Sequence, residues 1–499
     1  MDALEVWGGS RLGSQPKTLR TTFQRSGLYV FLISFACAYY LLNGPLLLFH
    51  YDLGWHLAAG DLIRERGSIP VQDPWSFTLG DKRWYNLSWL WDVMASVIFQ
   101  YTGFSGLTFF TVACGAVIVG YLASLCAASG ASTTAVCIAV FAACLLYPTF
   151  ATAPNSYLAA APNTATMLFS VIFYGECLKK TRRVLLPAMM VLWVNLHGGF
   201  LIGFFIVGVF CGVALLKRDW VNVRIDSLVG IGCVLALLIN PLGWHVYDGV
   251  VSTLGNFVQG YITEWMSYYA NMTVPGCIPG IIYMLIFIAL ELFALWRKEA
   301  SHIPVEARLL SWLFLALGLY QFRYMSFFFL FSAVPLAFHI DRLLPRQLND
   351  LEVRKSLLAA GIVGACALPW AYVHVASQLR LSQMISEQDA RYLRTHLAHA
   401  RVLNHWNVGG LLIFHTRGEV PVFVDGRAAT AYPEDLLRDY FKLSEWEVDE
   451  AAWDMVLAKY KIDAVLWVKA HDQLRQFLVG KRGWKEEYAG SYETVYVKP

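Results

Sequence analysis

The sequence predicts an α-helical polytopic membrane protein of about eleven spans, followed by a water-soluble C-terminal α/β domain. Three observations predict it. Of 499 residues, 57% are hydrophobic and 15% charged, with a mean hydropathy of +0.48, whereas soluble chains carry nearer a quarter charged residues. Apolar runs of roughly bilayer length recur through the first three quarters of the chain. From about residue 378 the composition turns water-soluble, with sixteen basic and seventeen acidic residues among short apolar runs.

Residues 1–26 hold Arg11, Lys17, Arg20 and Arg25 without a cleavage-site pattern, and are expected as a cytoplasmic N-terminus. Spans are expected near 27–49, 105–127, 131–150, 163–178, 184–197, 199–216, 226–240, 278–296, 307–321, 324–340 and 356–376. The 184–216 run is too long for one crossing at about 1.5 Å per residue. It is interrupted by "HGG" and has basic residues at both ends (Lys179, Lys180, Arg182 and Arg183; then Lys217 and Arg218), which two short helices explain. Further basic residues gather around 297–308 and 342–355. Before the C-terminal domain, only Arg64, Arg66, Lys82, Arg83 and Arg323 fall in segments left for the outer side. By the positive-inside rule, the 50–104 loop and everything beyond about 377 then face outward. The division is a transmembrane domain, 27–377, and an outer domain, 378–499.

In the tail, "GGLLIFH", "VPVFVD", "DAVLWV" and "ETVYVK" read as β-runs, and 386–400, 433–444 and 449–460 as helices. Nearly all ten cysteines lie inside apolar runs, with no CxxC or Cys/His spacing, so they read as small buried hydrophobes. The net charge of +3 is not clustered, which argues against nucleic acid as a partner.

The outer loop carries the chemistry. Residues 52–66 read as a short helix that puts Asp52 and His56, at i and i+4, on one face. Leu53, Trp55, Leu57, Leu62 and Ile63 are expected at headgroup depth. A carboxylate held there is partly desolvated and becomes a stronger proton acceptor; the plainer role for Asp52 is a helix cap. Asp61 reads as a solvent residue and Asp73, before a proline, as a turn former. A second amphipathic helix, about 87–101, carries Asp92.

The stretch "YDLGWHLAAGDLIRERGSIPVQDPWSFTLGDKRWYNLSWLWD" resembles the first outer loop of bacterial polytopic proteins of the GT-C glycosyltransferase superfamily. "WVNLHGGFLIG" at 193–203, "INPLGWHVYDG" and "ITEWMS" within 239–267, and "VPVFVDGRAATAY" at 420–432 are similar to that group too. The resemblance implies a GT-C-like transmembrane fold and a polyprenyl-phosphate-linked sugar as donor. It also implies work at the outer face and an essential acid in the first outer loop. Asp52, directly after the first span, matches that acid. Many GT-C enzymes have two adjacent acids there, whereas Asp52 stands between Tyr51 and Leu53, so Asp73, Asp92 or His56 is left to take the second role.

The expected topology brings Asn195, His197, Asn240, His245, Asp248, Glu264 and Arg323 to outer span ends. Polar residues at that depth are functional candidates. Arg323, within "LYQFRYMSF", suits a lipid phosphate or snorkels to headgroups. Asn195, His197 and Glu264 are candidates for substrate, as are Asp73 and Asp92. Asp425 and Arg427 are candidates for an acceptor sugar, the alternative for Asp425-Gly426 being a plain turn. No metal spacing motif and no obligatory cofactor is evident, although Asp52, His56 and Glu264 offer ligands for a divalent ion.

The leading expectation is a multi-pass protein of the bacterial inner membrane that moves sugar from polyprenyl phosphate to a lipid-linked or surface glycan, with Asp52 as base. The alternatives are a catalytically silent GT-C-like scaffold that binds lipid-linked sugars or partner proteins, and a transporter. Polar groups gathered on one face argue against the transporter, because alternating access needs sites reachable from both sides.

Overall fold

A computed structural model describes residues 51–80, 82–144, 159–253, 257–272, 277–298, 303–344, 385–443, 448–469, 472–490 and 493–499. The spans expected at 27–49 and 356–376, and the N-terminal segment, lie outside the described residues.

Helix α1, Leu53–Arg66, is the short helix expected after the first span. The expected 87–101 helix and 105–127 span prove to be one 40-residue element, α2, Trp89–Ala128, kinked at Gly103. Gly103 has φ +63°, a conformation that glycine adopts without steric penalty. The next helices are α3 (Thr133–Cys144), α4 (Asn163–Lys179), α5 (Leu186–Leu196), α6 (Leu201–Leu216) and α7 (Trp220–Ala236). "HGG" does separate two short helices, α5 and α6. Then come α8 (Val246–Thr253), α9 (Cys277–Trp296), α10 (Val305–Tyr320) and α11 (Met325–Leu343). Among the described residues, the helices over Trp89–Ala128, Gly198–Leu216, Cys277–Trp296 and Phe322–Leu343 are long and apolar enough to cross a membrane. The protein is thus an integral, multi-pass membrane protein.

In the tail, α12 (Glu387–Leu397) opens on a capping box at Ser386 and Asp389. There follow β1 (Val402–Asn404), α13 (Trp406–His415), α14 (Glu434–Tyr440), α15 (Glu450–Lys459), β2 (Ala464–Val468), β3 (Lys485–Ala489) and β4 (Glu493–Val497). The sheet order is β1-β2-β4-β3, with β1 parallel to β2 and the other pairs antiparallel. Two β-expectations fail. "GGLLIFH" is the body of α13, not a strand. "VPVFVD" makes only single bridges, from Val422 to Ser76 and Val402. Burial of the whole run, rather than sheet pairing, accounts for its apolar character: Val420, Val422, Phe423 and Val424 are all fully buried.

Two hydrophobic cores meet at α1. Leu53 and Leu57 pack with the membrane helices, whereas Trp55 and Ala59 join the tail core together with Trp75, Leu79 and Trp84. The apolar face expected at headgroup depth is therefore protein-covered: Leu53, Trp55, Leu57 and Ile63 are buried. Gly54 permits the crossing of α1 over α13, since a Cβ there would fall 2.4 Å from the Gly410 carbonyl oxygen. The first loop and the tail thus fold as one body, wedged by α1 against the membrane helices.

Candidate active site

Beneath that junction lies a cavity of about 1020 Å³. Its wall takes Asp52, Trp55 and His56 from α1, and His197 to Gly199 from the α5–α6 turn. Glu264 and Trp265 come from a short 3-10 turn, Thr263–Trp265, and Arg323 from another, Phe322–Tyr324, that joins α10 to α11. The tail supplies Gly426 to Ala428, and Phe204, Phe205, Phe314 and Phe327 of the membrane helices complete an apolar part. Six of the thirteen candidate residues, Asp52, His56, His197, Glu264, Arg323 and Arg427, therefore line one space.

Asp52 occupies the N-cap position of α1, yet its side chain makes no cap hydrogen bond. The capping role does not hold, and the carboxylate turns instead toward Gly426: a Cβ on that residue would fall 1.6 Å from Asp52 Oδ1. His56 is buried one turn further on, and its Nδ1 lies 2.6 Å from Asp92 Oδ1. The other Asp92 oxygen accepts from Asn86 Nδ2 at 2.7 Å. Asp92 is completely buried, so it stands behind the wall, fixing His56 by Nδ1 and leaving Nε2 as the ring nitrogen for a substrate. Asn86 carried no signal in the sequence.

Arg323 is half-buried, with its guanidinium 5.2 Å from the centre of the Trp265 ring, a cation–π distance. Trp265 Nε1 donates to Glu264 Oε1 at 2.7 Å, which links the acid and the cation through one indole. His197 Nδ1 accepts from the Gly199 backbone N–H at 3.3 Å and lies 2.7 Å from Thr166 Oγ1. Trp193 Nε1 donates to that same Thr166 oxygen at 2.9 Å. With Nδ1 as the acceptor from Gly199, the Thr166 hydroxyl is the donor of that pair.

The other seven candidates do not line the cavity, and Arg427, which does, is taken up by protein partners. Asn195 donates to the carbonyls of Val191 and Ile239 and accepts from Trp89 Nε1 at 2.7 Å; it ties helices together and does not line the cavity. Asn240, His245 and Asp248 do not line it either. Arg427 is the centre of a cage. Its Nε and Nη2 donate to Asp425 at 2.8 and 2.6 Å, Nη1 pairs with Asp73, and Nη2 also reaches Ser76 and Tyr432 at 3.1 Å. Tyr432 donates to Asp425 Oδ2 at 2.7 Å, and the Trp75 and Trp84 rings lie 5.0 and 4.9 Å from the guanidinium. The side chains of Asp73, Asp425 and Arg427 are 0% exposed.

Burial alone would raise the Asp73 carboxyl, but the Arg427 charge and hydrogen bonds from Arg427, Ser76 and the Trp75 amide hold it below the usual 3.8. Burial next to Asp425 pushes the Tyr432 phenol well above its usual value. Asp73 does form the expected turn, accepting from the Trp75 and Ser76 amides, and pairs across 354 residues as well. Tyr432, part of the quoted "DGRAATAY", was the readable hint of the cage. Among the described residues, no three His, Cys, Asp or Glu gather as a metal site.

No protein-family model matches the chain, and no curated protein matches it in sequence. Solved structures do match its fold. One is the archaeal oligosaccharyltransferase AglB from Archaeoglobus fulgidus, in complex with an inhibitory peptide and a dolichol-phosphate. It is 10% identical, with a TM-score of 0.55, over 90% of this chain and 70% of that one. The apo form of the Archaeoglobus fulgidus oligosaccharyltransferase gives a TM-score of 0.57 at 11% identity, over 91% and 70%. ArnT from Cupriavidus metallidurans bound to undecaprenyl phosphate is 15% identical, with a TM-score of 0.50, over 97% and 98%. The class defined here is the fold shared with these oligosaccharyltransferase and ArnT structures. At these identities the likeness is one of fold, and it agrees with the resemblance carried by the first loop.

Proposed function

We propose that the protein is a GT-C-type glycosyltransferase of the bacterial inner membrane, moving a sugar from a polyprenyl-phosphate donor to a lipid-linked or cell-surface glycan. The observation that carries this reading is the shared cavity. One space of about 1020 Å³ holds a carboxylate, an oriented imidazole and a cation beside an aromatic, apolar lining. That volume suits a sugar with its phosphate. AglB and ArnT, which share the fold, are solved with dolichol-phosphate and undecaprenyl phosphate.

In the proposed reaction Asp52 accepts the proton of an acceptor hydroxyl, and the resulting oxygen bonds to the anomeric carbon. The bond from that carbon to the phosphate oxygen breaks on the opposite side, inverting the centre. The electron pair leaves on the lipid phosphate, whose charge Arg323 stabilises. His56, oriented by Asp92, offers Nε2 as a neighbouring proton acceptor. His197 offers a polar contact to a sugar or phosphate oxygen. The reading places the N-terminus in the cytoplasm and the tail in the periplasm.

Whole-cell glycan and lipid mass spectrometry tests this by comparing wild type, a strain lacking the protein and an Asp52→Asn strain with equal protein level. Loss of the wild-type product in Asp52→Asn is expected. An unaltered product pattern would remove Asp52 as the base. Purified protein that binds undecaprenyl phosphate but never turns over would favour the silent scaffold.

A further inference from the structure

We infer that Gly426, held in place by the Arg427 cage, is a positioning residue for the Asp52 carboxylate, so that the tail aims the base. The inference rests on the reading of Asp52 as that base.

Four observations carry it. The helix does not orient the carboxylate, because Asp52 at the N-cap position makes no cap bond. The tail backbone meets the carboxylate closely instead. A Cβ on Gly426 would lie 1.6 Å from Asp52 Oδ1, 2.7 Å from its Cγ and 3.2 Å from Oδ2. Gly426 is itself fixed on both sides, since Asp425 and Arg427 are buried in their mutual ion pair. Ala428 next to them sits at φ +48°, which a non-glycine residue keeps only where its surroundings over-determine it. Finally, the tail touches the preceding residue as well, a Cβ on Gly410 falling 2.8 Å from the Tyr51 carbonyl oxygen. The start of α1 is thus gripped by α13 and by the 425–428 turn together.

The atom that a larger residue at 426 would displace is the end of a rotatable side chain. A methyl there is accommodated by swinging the Asp52 carboxylate aside, which leaves the fold in place. A misplacement of about 1 Å in a reacting group is worth roughly 100-fold in rate. A lesion of aim and a lesion of stability are therefore separable.

The experiment compares full-length Gly426→Ala, Asp52→Asn, their double variant and Gly480→Ala, a tail glycine whose Cβ would meet open space. The readouts are cellular product by mass spectrometry, thermal midpoint and affinity for undecaprenyl phosphate. Gly426→Ala is expected to lower product about 100-fold with midpoint and lipid affinity unchanged, while Gly480→Ala behaves as wild type. Adding Gly426→Ala to Asp52→Asn should cause no further loss, because the group being aimed is already absent. Product within twofold of wild type, a loss that adds fully to that of Asp52→Asn, or failure of Gly426→Ala to fold would each overturn the positioning role. If Asp52→Asn makes product normally, the base assignment falls and the positioning role with it. If Asp52→Asn is inactive and Gly426→Ala active, only the positioning role falls.

Discussion

Arg427 and Arg323 stand on the wall of one cavity, and the protein surrounds them differently. Arg427 is enclosed by two carboxylates, a phenol, a hydroxyl and two indole rings, and its guanidinium nitrogens point into protein. Arg323 is half-buried and lies against the Trp265 indole, whose N–H is held by Glu264. A cation with two buried counter-charges is a fastening, because removing it strands both acids. A half-buried cation stacked on a ring beside a cavity is arranged to meet an anion. Position on a cavity wall therefore does not by itself make a residue a ligand.

The comparison can be broken most sharply at the fastening. Arg427→Met leaves Asp73 and Asp425 buried without their cation, which should destabilise the protein by about 3–5 kcal/mol, read as a lowered thermal midpoint in detergent. An unchanged midpoint would mean the cage holds nothing. Arg323→Gln should do the reverse, leaving the midpoint in place and weakening undecaprenyl phosphate binding by about 1.5–3 kcal/mol. Fluorescence of the neighbouring Trp265 offers a way to follow that titration. A smaller effect, about 1 kcal/mol of stability, is expected for Tyr432→Phe, which takes one donor from an Asp425 that keeps Arg427.

The last effect is read against pH and comes from Asp73. Its pKa is depressed in the folded protein, so its contribution is fully present above the usual carboxylate value of 3.8. That contribution is lost as the pH falls through the depressed value. The midpoint of wild type should fall more steeply in acid than that of Asp73→Asn.

Much of the helical layout was legible, because long apolar runs and basic clusters report spans directly; the α5–α6 break and the start of α1 were both readable. Asp52 and His56 on one face followed from helical spacing. What fastens them did not, since Asp92 lies 36 residues from His56 and Asp73 lies 354 from Arg427, and no local pattern encodes pairings so remote. "GGLLIFH" misled for a related reason. A fully buried short helix and a buried strand show the same apolar run, and only the close approach of Gly410 to α1 distinguishes them. The headgroup reading of α1 failed because its cover is a tail more than 300 residues away in sequence.

That separation also sets a clock. Ser76 and Tyr432, 356 residues apart, share a hydrogen bond in the junction. At about 5–20 residues per second, the ribosome needs roughly 20–70 s to deliver the second partner after the first. Until then α1 lacks half of its core, with Trp55 and Trp84 unburied by the tail. The loop around α1 is therefore among the first segments made and among the last to be finished, and a chain truncated before the tail would lack the close approach of Gly426 to Asp52.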